Sequence, residues 1–264
     1  MVCHGRLPRR PIRSLCRTLA LVVFALAFGY FVPLRAADQA ARPAASRSGA
    51  VARTSDGKPD FTGIWQAMTT ADWNIQDHIG DKGVPPGRGI VEGNEIPYRP
   101  EALAKKQENF KNRDTADPNT KCWLPGVPRI MYMPYPFQIA QGPKQISFLF
   151  EYVHAVRNVF MDSPHLRGPL DIWLGDSRGH WDGDTLVVDV NNFIDTTWFD
   201  HAGNFHSDEL HVVERFTPMG TDHVQYEATI EDPKVFTRPW KMSTTLYRHK
   251  EKDAELLEYE CSAY

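Results

Sequence analysis

Apolar and polar side chains alternate through most of the second half of this 264-residue chain. Val224, Tyr226, Ala228 and Ile230 fall on one side of an extended segment, with Gln225, Glu227, Thr229 and Glu231 on the other. That two-residue period marks a half-buried strand. The same period, with β-branched and aromatic residues, predicts strands over 60–66, 137–141, 145–152, 155–161, 184–191, 209–217, 222–231, 241–249 and 255–261. The run Trp173-Leu-Gly-Asp-Ser-Arg-Gly-His-Trp-Asp-Gly-Asp-Thr-Leu-Val-Val-Asp-Val190 reads as a hairpin whose turn is Asp182-Gly183, residues that accept positive φ. Leu210, Val212, Glu214 and Phe216 share a face, so Glu214 is expected to point among apolar neighbours.

So many sequential strands must close or stack to hide their edges. The first expectation is an antiparallel meander closing into a lipocalin-like barrel around an internal cavity; the alternative is a β-sandwich. Residues 68–136 break the pattern with repeated Pro and Gly (Gly83-Val-Pro-Pro-Gly-Arg-Gly89, Leu124-Pro-Gly-Val-Pro128, Met133-Pro-Tyr-Pro136). Within them one short helix is predicted from Pro100 to about Asn112, since proline at the first helical position loses no hydrogen bond. A loop-rich insertion of this length is more often functional than idle. The whole of 59–264 is read as one β-rich domain.

Upstream, five arginines and no acid precede an apolar run from Thr18 to Val32, followed by small residues. This is the layout of a secretory signal peptide over residues 1–37, and 38–58, rich in Ala, Arg, Ser and Pro, reads as a disordered tether. The apolar run is shorter than the ~20 residues a spanning helix needs. Removing 1–37 takes away six of the 30 basic side chains and none of the 33 acids, leaving 24 against 33. No basic footprint for nucleic acid remains. Export to the periplasm or beyond leaves Cys122 and Cys261, which in an oxidising compartment are most simply a disulfide. The rival, a metal-ligand pair, lacks CxxC spacing.

Three stretches carry a resemblance. The 173–190 run, His206-Ser-Asp-Glu-Leu-His-Val-Val-Glu-Arg-Phe216 and Tyr226-Glu-Ala-Thr-Ile-Glu-Asp-Pro-Lys-Val-Phe-Thr-Arg-Pro-Trp240 are similar to the signatures of a large family of secreted, β-rich bacterial proteins. Glu151-Tyr-Val-His-Ala-Val-Arg157 and Glu258-Tyr-Glu-Cys261 extend the likeness from about residue 60 to the end. The resemblance implies an exported β protein and carries over no catalytic residues. The chain departs from that pattern at Ser163-Pro-His-Leu-Arg167, where Gly-Arg-Pro-His is expected, which bears on His165.

Four sets of residues are candidates for chemistry. Glu151, His154, His206 and Glu214 are expected to converge as catalytic acid–base groups, a carboxylate in a cavity having its pKa raised; the structural counter-reading pairs Glu214 with an arginine inside the sheet. Arg157 with Trp173, Trp181, Trp123 and Tyr132 is the expected ligand-binding set. His201, His206 and His211, at five-residue spacing among carboxylates, are a possible divalent-metal set, although odd spacing on extended chain separates His206 from His211. Gly175-Asp-Ser-Arg-Gly179 spells a hydrolase elbow, but Ser177 lies between strand signals rather than on a strand-to-helix turn. HExxH, Walker and dinucleotide glycine motifs do not occur.

These features point first to an exported barrel that binds a small apolar or aromatic ligand and carries no cofactor. An acid–base or metal-assisted lyase or hydrolase is the alternative. A structural subunit of a membrane complex is a third reading, which requires that the N-terminal segment be retained.

Overall fold

A computed structural model describes residues 50–81 and 83–261, which lie in one compact unit, Ser46–Tyr264. The expected signal segment and most of the expected tether lie outside the described residues. Nine strands close into a single barrel in chain order: β1 Gly63–Ala67, β2 Phe137–Gln141, β3 Gln145–Phe150, β4 Val156–Met161, β5 Asp176–Asp182, β6 Thr185–Asn191, β7 His211–Pro218, β8 His223–Glu231 and β9 Trp240–Arg248. Closure by β1 against β9 leaves no free edge, which excludes the sandwich.

The closure also corrects three expectations. Residues 255–261 are not a tenth strand: with β9 already paired to β1, the tail makes a single bridge, Tyr152 to Tyr259. The barrel is not wholly antiparallel, because β4 and β5 run parallel through Val159–Ser177, Phe160–Arg178 and Met161–Gly179. The connecting segment 162–175, with Pro164, Gly168 and Pro169, makes no strand and brings the chain back to the same end. The hairpin turn lies one residue later than expected. Asp182 pairs with Thr185, so Gly183 (φ 60°) and Asp184 make the turn. Asp184 is held there by Arg53, 2.7 Å away, which ties 53–59 of the expected tether region to the barrel.

Alternation places one side chain in two inside. Phe148 of β3 meets Phe216 of β7 across the lumen at 5.6 Å between ring centroids, and Phe216 meets Tyr226 of β8 at 5.1 Å. Phe137, Phe150, Val188 and Met242 are buried with them. Each such side chain contributes roughly 1.5–3 kcal/mol by leaving water. The polar exception is Glu214, fully buried and bidentate to Arg157 of β4, with Nη1 at 3.0 Å from Oε1 and Nη2 on Oε2. Tyr226 donates its hydroxyl to the same carboxylate at 2.8 Å.

The insertion between β1 and β2 folds as α1 Pro100–Lys111, α2 Arg113–Ala116 and three 3-10 turns, Glu92–Asn94, Pro118–Lys121 and Arg129–Met131. Cys122 follows the Pro118–Lys121 turn and bonds to Cys261, pinning the tail, with Cα atoms 5.4 Å apart. Among the described residues no helix is long and apolar enough to cross a membrane.

Candidate functional site

The insertion packs on the loop between β6 and β7, residues 192–210, through buried polar contacts rather than a strand ladder. Asp200, fully buried, accepts from the Ile75 backbone N–H at 2.9 Å and from Asn204 Nδ2 at 2.6 Å. Burial pushes its carboxyl up to about 6 against the pull of those donors. Tyr132 donates to the Phe199 carbonyl at 2.8 Å. Gly203 (φ 84°) passes so close to α1 that a Cβ there would meet the Phe110 nitrogen at 2.7 Å.

This junction fixes His201. Its backbone N–H donates to Asp72 O at 2.9 Å, and its ring Nδ1 lies 2.8 Å from Asp117 Oδ2. Asp117, only 1 % exposed, is the N-cap of the Pro118–Lys121 turn and accepts the Asn119 N–H at 3.0 Å. Arg129, equally buried, grips it with Nη1 at 2.8 Å and Nη2 at 3.0 Å, while Nε holds Asp72 at 2.8 Å. Burial alone would raise the Asp117 carboxyl, but Arg129 and His201 bring it down to about 2. Asp117 is therefore ionised at neutral pH, and Nδ1 of His201 must carry a proton to meet it. The Trp73 ring stands edge-on to the imidazole at 5.6 Å.

The imidazole borders a cleft of about 480 Å³, within the range of small-molecule sites. Trp73, His78, Ile79, Phe110 and Arg113 line it with His201. Arg113 stacks over Phe110 at 4.2 Å and pairs with Asp81 at 3.1 Å. Nε2 of His201 faces Asp114, an exposed carboxylate 3.6 Å away. Carboxylate, imidazole and cleft are thus assembled from segments 72–81, 110–129 and 200–202.

The four residues expected to converge as a catalytic set have separate partners. Glu151 accepts the Leu257 N–H at 2.9 Å, and His154 sits 3.3 Å from Glu260, so both hold the C-terminal tail. His206 is buried between Thr197 Oγ1 at 2.7 Å and the Ser207 carbonyl at 2.8 Å, and burial lowers its pKa. Glu214 is spent on Arg157 and Tyr226.

The expected metal set is likewise divided among Asp117 for His201, Thr197 for His206 and Asp189, at 3.1 Å, for His211. Among the described residues no group of three or more His, Cys, Asp or Glu is arranged to hold a metal ion. Of the expected ligand set, Arg157 and Trp173 line a second cleft, with Trp123 edge-on to Trp173 at 5.6 Å. Trp181 stacks on Phe61 at 5.9 Å and Tyr132 is sealed in the core.

His165, at the departure from the family pattern, bridges Asp176 (2.9 Å) and Asp189 (2.8 Å) on the outer face. Sequence reasoning passed over Asp117, Arg129 and Asp72. The signal present for them was the long Pro-rich insertion. Searches of family models, curated proteins and solved structures found nothing that matches this chain.

Proposed function

We propose that the protein is an exported enzyme that moves a proton on a small, largely apolar substrate, with His201 as general base and Asp117 as its orienting carboxylate. The observation that carries this reading is the 2.8 Å contact between Nδ1 of His201 and a buried, ionised Asp117 at the edge of a cleft. With Nδ1 protonated, Nε2 offers its lone pair to a C–H or O–H acid in the cleft. Taking that proton creates an imidazolium beside Asp114, Asp117, Arg129 and Asp72, whose charges sum to minus two, so the product state is favoured.

Trp73, Phe110 and Ile79 suit an aromatic or aliphatic body, and with Arg113 paired to Asp81 the remaining carboxylate, Asp77, leaves the lining net negative, which disfavours an anion. Export is supported by the N-terminal pattern and by the Cys122–Cys261 disulfide. This reading assigns the ligand to the cleft beside His201 rather than to the barrel interior.

The test is proton exchange in heavy water with a panel of aryl ketones and aryl β-hydroxy carbonyl compounds, followed by mass spectrometry. Exchange or elimination should fall about 10²–10⁴-fold in His201→Asn. No turnover above the solvent rate across the panel, or a His201→Asn variant as active as the parent, would overturn the proposal.

A further inference from the structure

The second cleft lies at the seam between β4 and β5. Their parallel ladder begins only at Val159, leaving Val156 and Arg157 without a β5 partner, and the seam opens there. The opening, about 430 Å³, is lined by Leu124, Val156, Leu166, Trp173, Arg157 and Ser177. Its walls hold apolar side chains in water: Val156 is 53 % and Leu166 51 % exposed.

The polar floor is different in kind. Arg157 Nε donates to Ser177 Oγ at 3.0 Å, and its remaining donors serve Glu214 and Met131 Sδ. Ser177 is 2 % exposed and accepts this bond, while its own proton meets no acceptor among the described residues. A buried hydroxyl proton without a partner favours a guest that accepts it. Because Glu214 already neutralises Arg157, the floor supplies no free positive charge to a carboxylate.

We propose that the β4–β5 seam is a second small-molecule site, selecting a flat aromatic compound with a neutral carbonyl or ether oxygen that accepts from Ser177. The Gly175-Asp-Ser-Arg-Gly179 spelling then marks a binding hydroxyl rather than a nucleophile. Among the described residues no histidine bonds to Ser177, and an arginine, which cannot take its proton, donates to it.

The test uses the purified full chain and three probes of similar size: acetophenone, benzoate and ethylbenzene, titrated while NMR signals of the Trp173 indole and Ser177 amide are followed. Acetophenone should shift both saturably and bind about tenfold more tightly than either other probe, since a satisfied buried donor is worth about that factor. Ser177→Ala should erase the preference for acetophenone over ethylbenzene, and Leu166→Asp, on the exposed wall, should weaken all neutral probes without disturbing the fold. His201→Asn should leave these shifts unchanged, which separates this site from the proton-transfer cleft. Absence of saturable shifts at Trp173 and Ser177, benzoate binding best, or full preference retained in Ser177→Ala would each overturn the inference.

Discussion

Replacing Glu214 with leucine isolates the Arg157–Glu214 ion pair inside the barrel. The substitution leaves the Arg157 guanidinium buried without a counter-charge, against Ser177, Met131 and the Phe148 ring, and it strands the Tyr226 hydroxyl. Breaking a buried pair from one side costs about 3–5 kcal/mol, and an orphaned buried hydroxyl about 1–3 kcal/mol more. Against a typical total of about 5–15 kcal/mol, Glu214→Leu should bring the chain near the edge of folding. The triple variant Arg157→Met, Glu214→Leu, Tyr226→Phe removes the charge and both polar groups while keeping comparable volume, and should recover to within about 2 kcal/mol of the parent.

Urea unfolding followed by near-ultraviolet circular dichroism reads both quantities. With a slope of about 2 kcal/mol/M, the single variant should lose roughly 2–4 M in midpoint. The triple variant should also retain proton transfer at His201, because the pair lies in the lumen rather than in the cleft. A single variant that costs under about 1 kcal/mol, or a triple variant no better than the single, would refute the reasoning that the cost comes from an uncompensated charge.

Asp117→Asn should cut turnover about 10²–10⁴-fold, because an amide no longer fixes the tautomer that leaves Nε2 free; steady-state kinetics at matched folding checks it. Asp200 and Asp117 should shape acid stability in separate, opposite windows. The Asp200 carboxyl sits above its unfolded value of 3.8, at about 6, so the native state holds the extra proton and stability falls by about 3 kcal/mol as pH rises from 4 to 6. Asp117 sits below 3.8, at about 2, so its stabilisation is full above pH 4 and is lost as pH falls towards 2. Unfolding free energies across pH 2–7 for the parent and Asp200→Asn should show the upper window vanish in the variant. On the outer face, the hydrogen bond to Asp189 raises the His211 pKa, so its contribution is complete at acid pH and fades above the raised value. Amide exchange on the β6–β7 ladder beside Asp189 and His211, corrected for its intrinsic pH dependence, should quicken as pH rises through that raised value and should do so less in Asp189→Asn.

Local alternation made the strands legible because the barrel has one wet and one dry face. Val224, Tyr226, Ala228 and Ile230 are all buried, and Glu214 does point inward among apolar residues. The helix was legible for a similar local reason, its proline start and thin apolar stripe giving α1 within a residue. Direction and closure are not local. Nothing in the pattern of 155–161 says that its next neighbour runs parallel, and nothing in 255–261 says that β9 has already taken the last edge. The candidate site was hidden for a related reason. Asp117 and His201 are 84 residues apart, and Asp117 sits in the polar run Asp114-Thr-Ala-Asp117, indistinguishable by composition from a solvated loop. Its burial comes from Arg129, whose charge Asp72 and Asp117 share.

Long-range proton–nitrogen NMR of the histidine rings tests the base at its source. At neutral pH the account predicts that His201 carries its proton on Nδ1, shifted downfield by Asp117, with Nε2 bare and exposed to the cleft, and that Asp117→Asn removes that downfield signal. A proton resident on Nε2, or a His201 spectrum indifferent to Asp117→Asn, would contradict it.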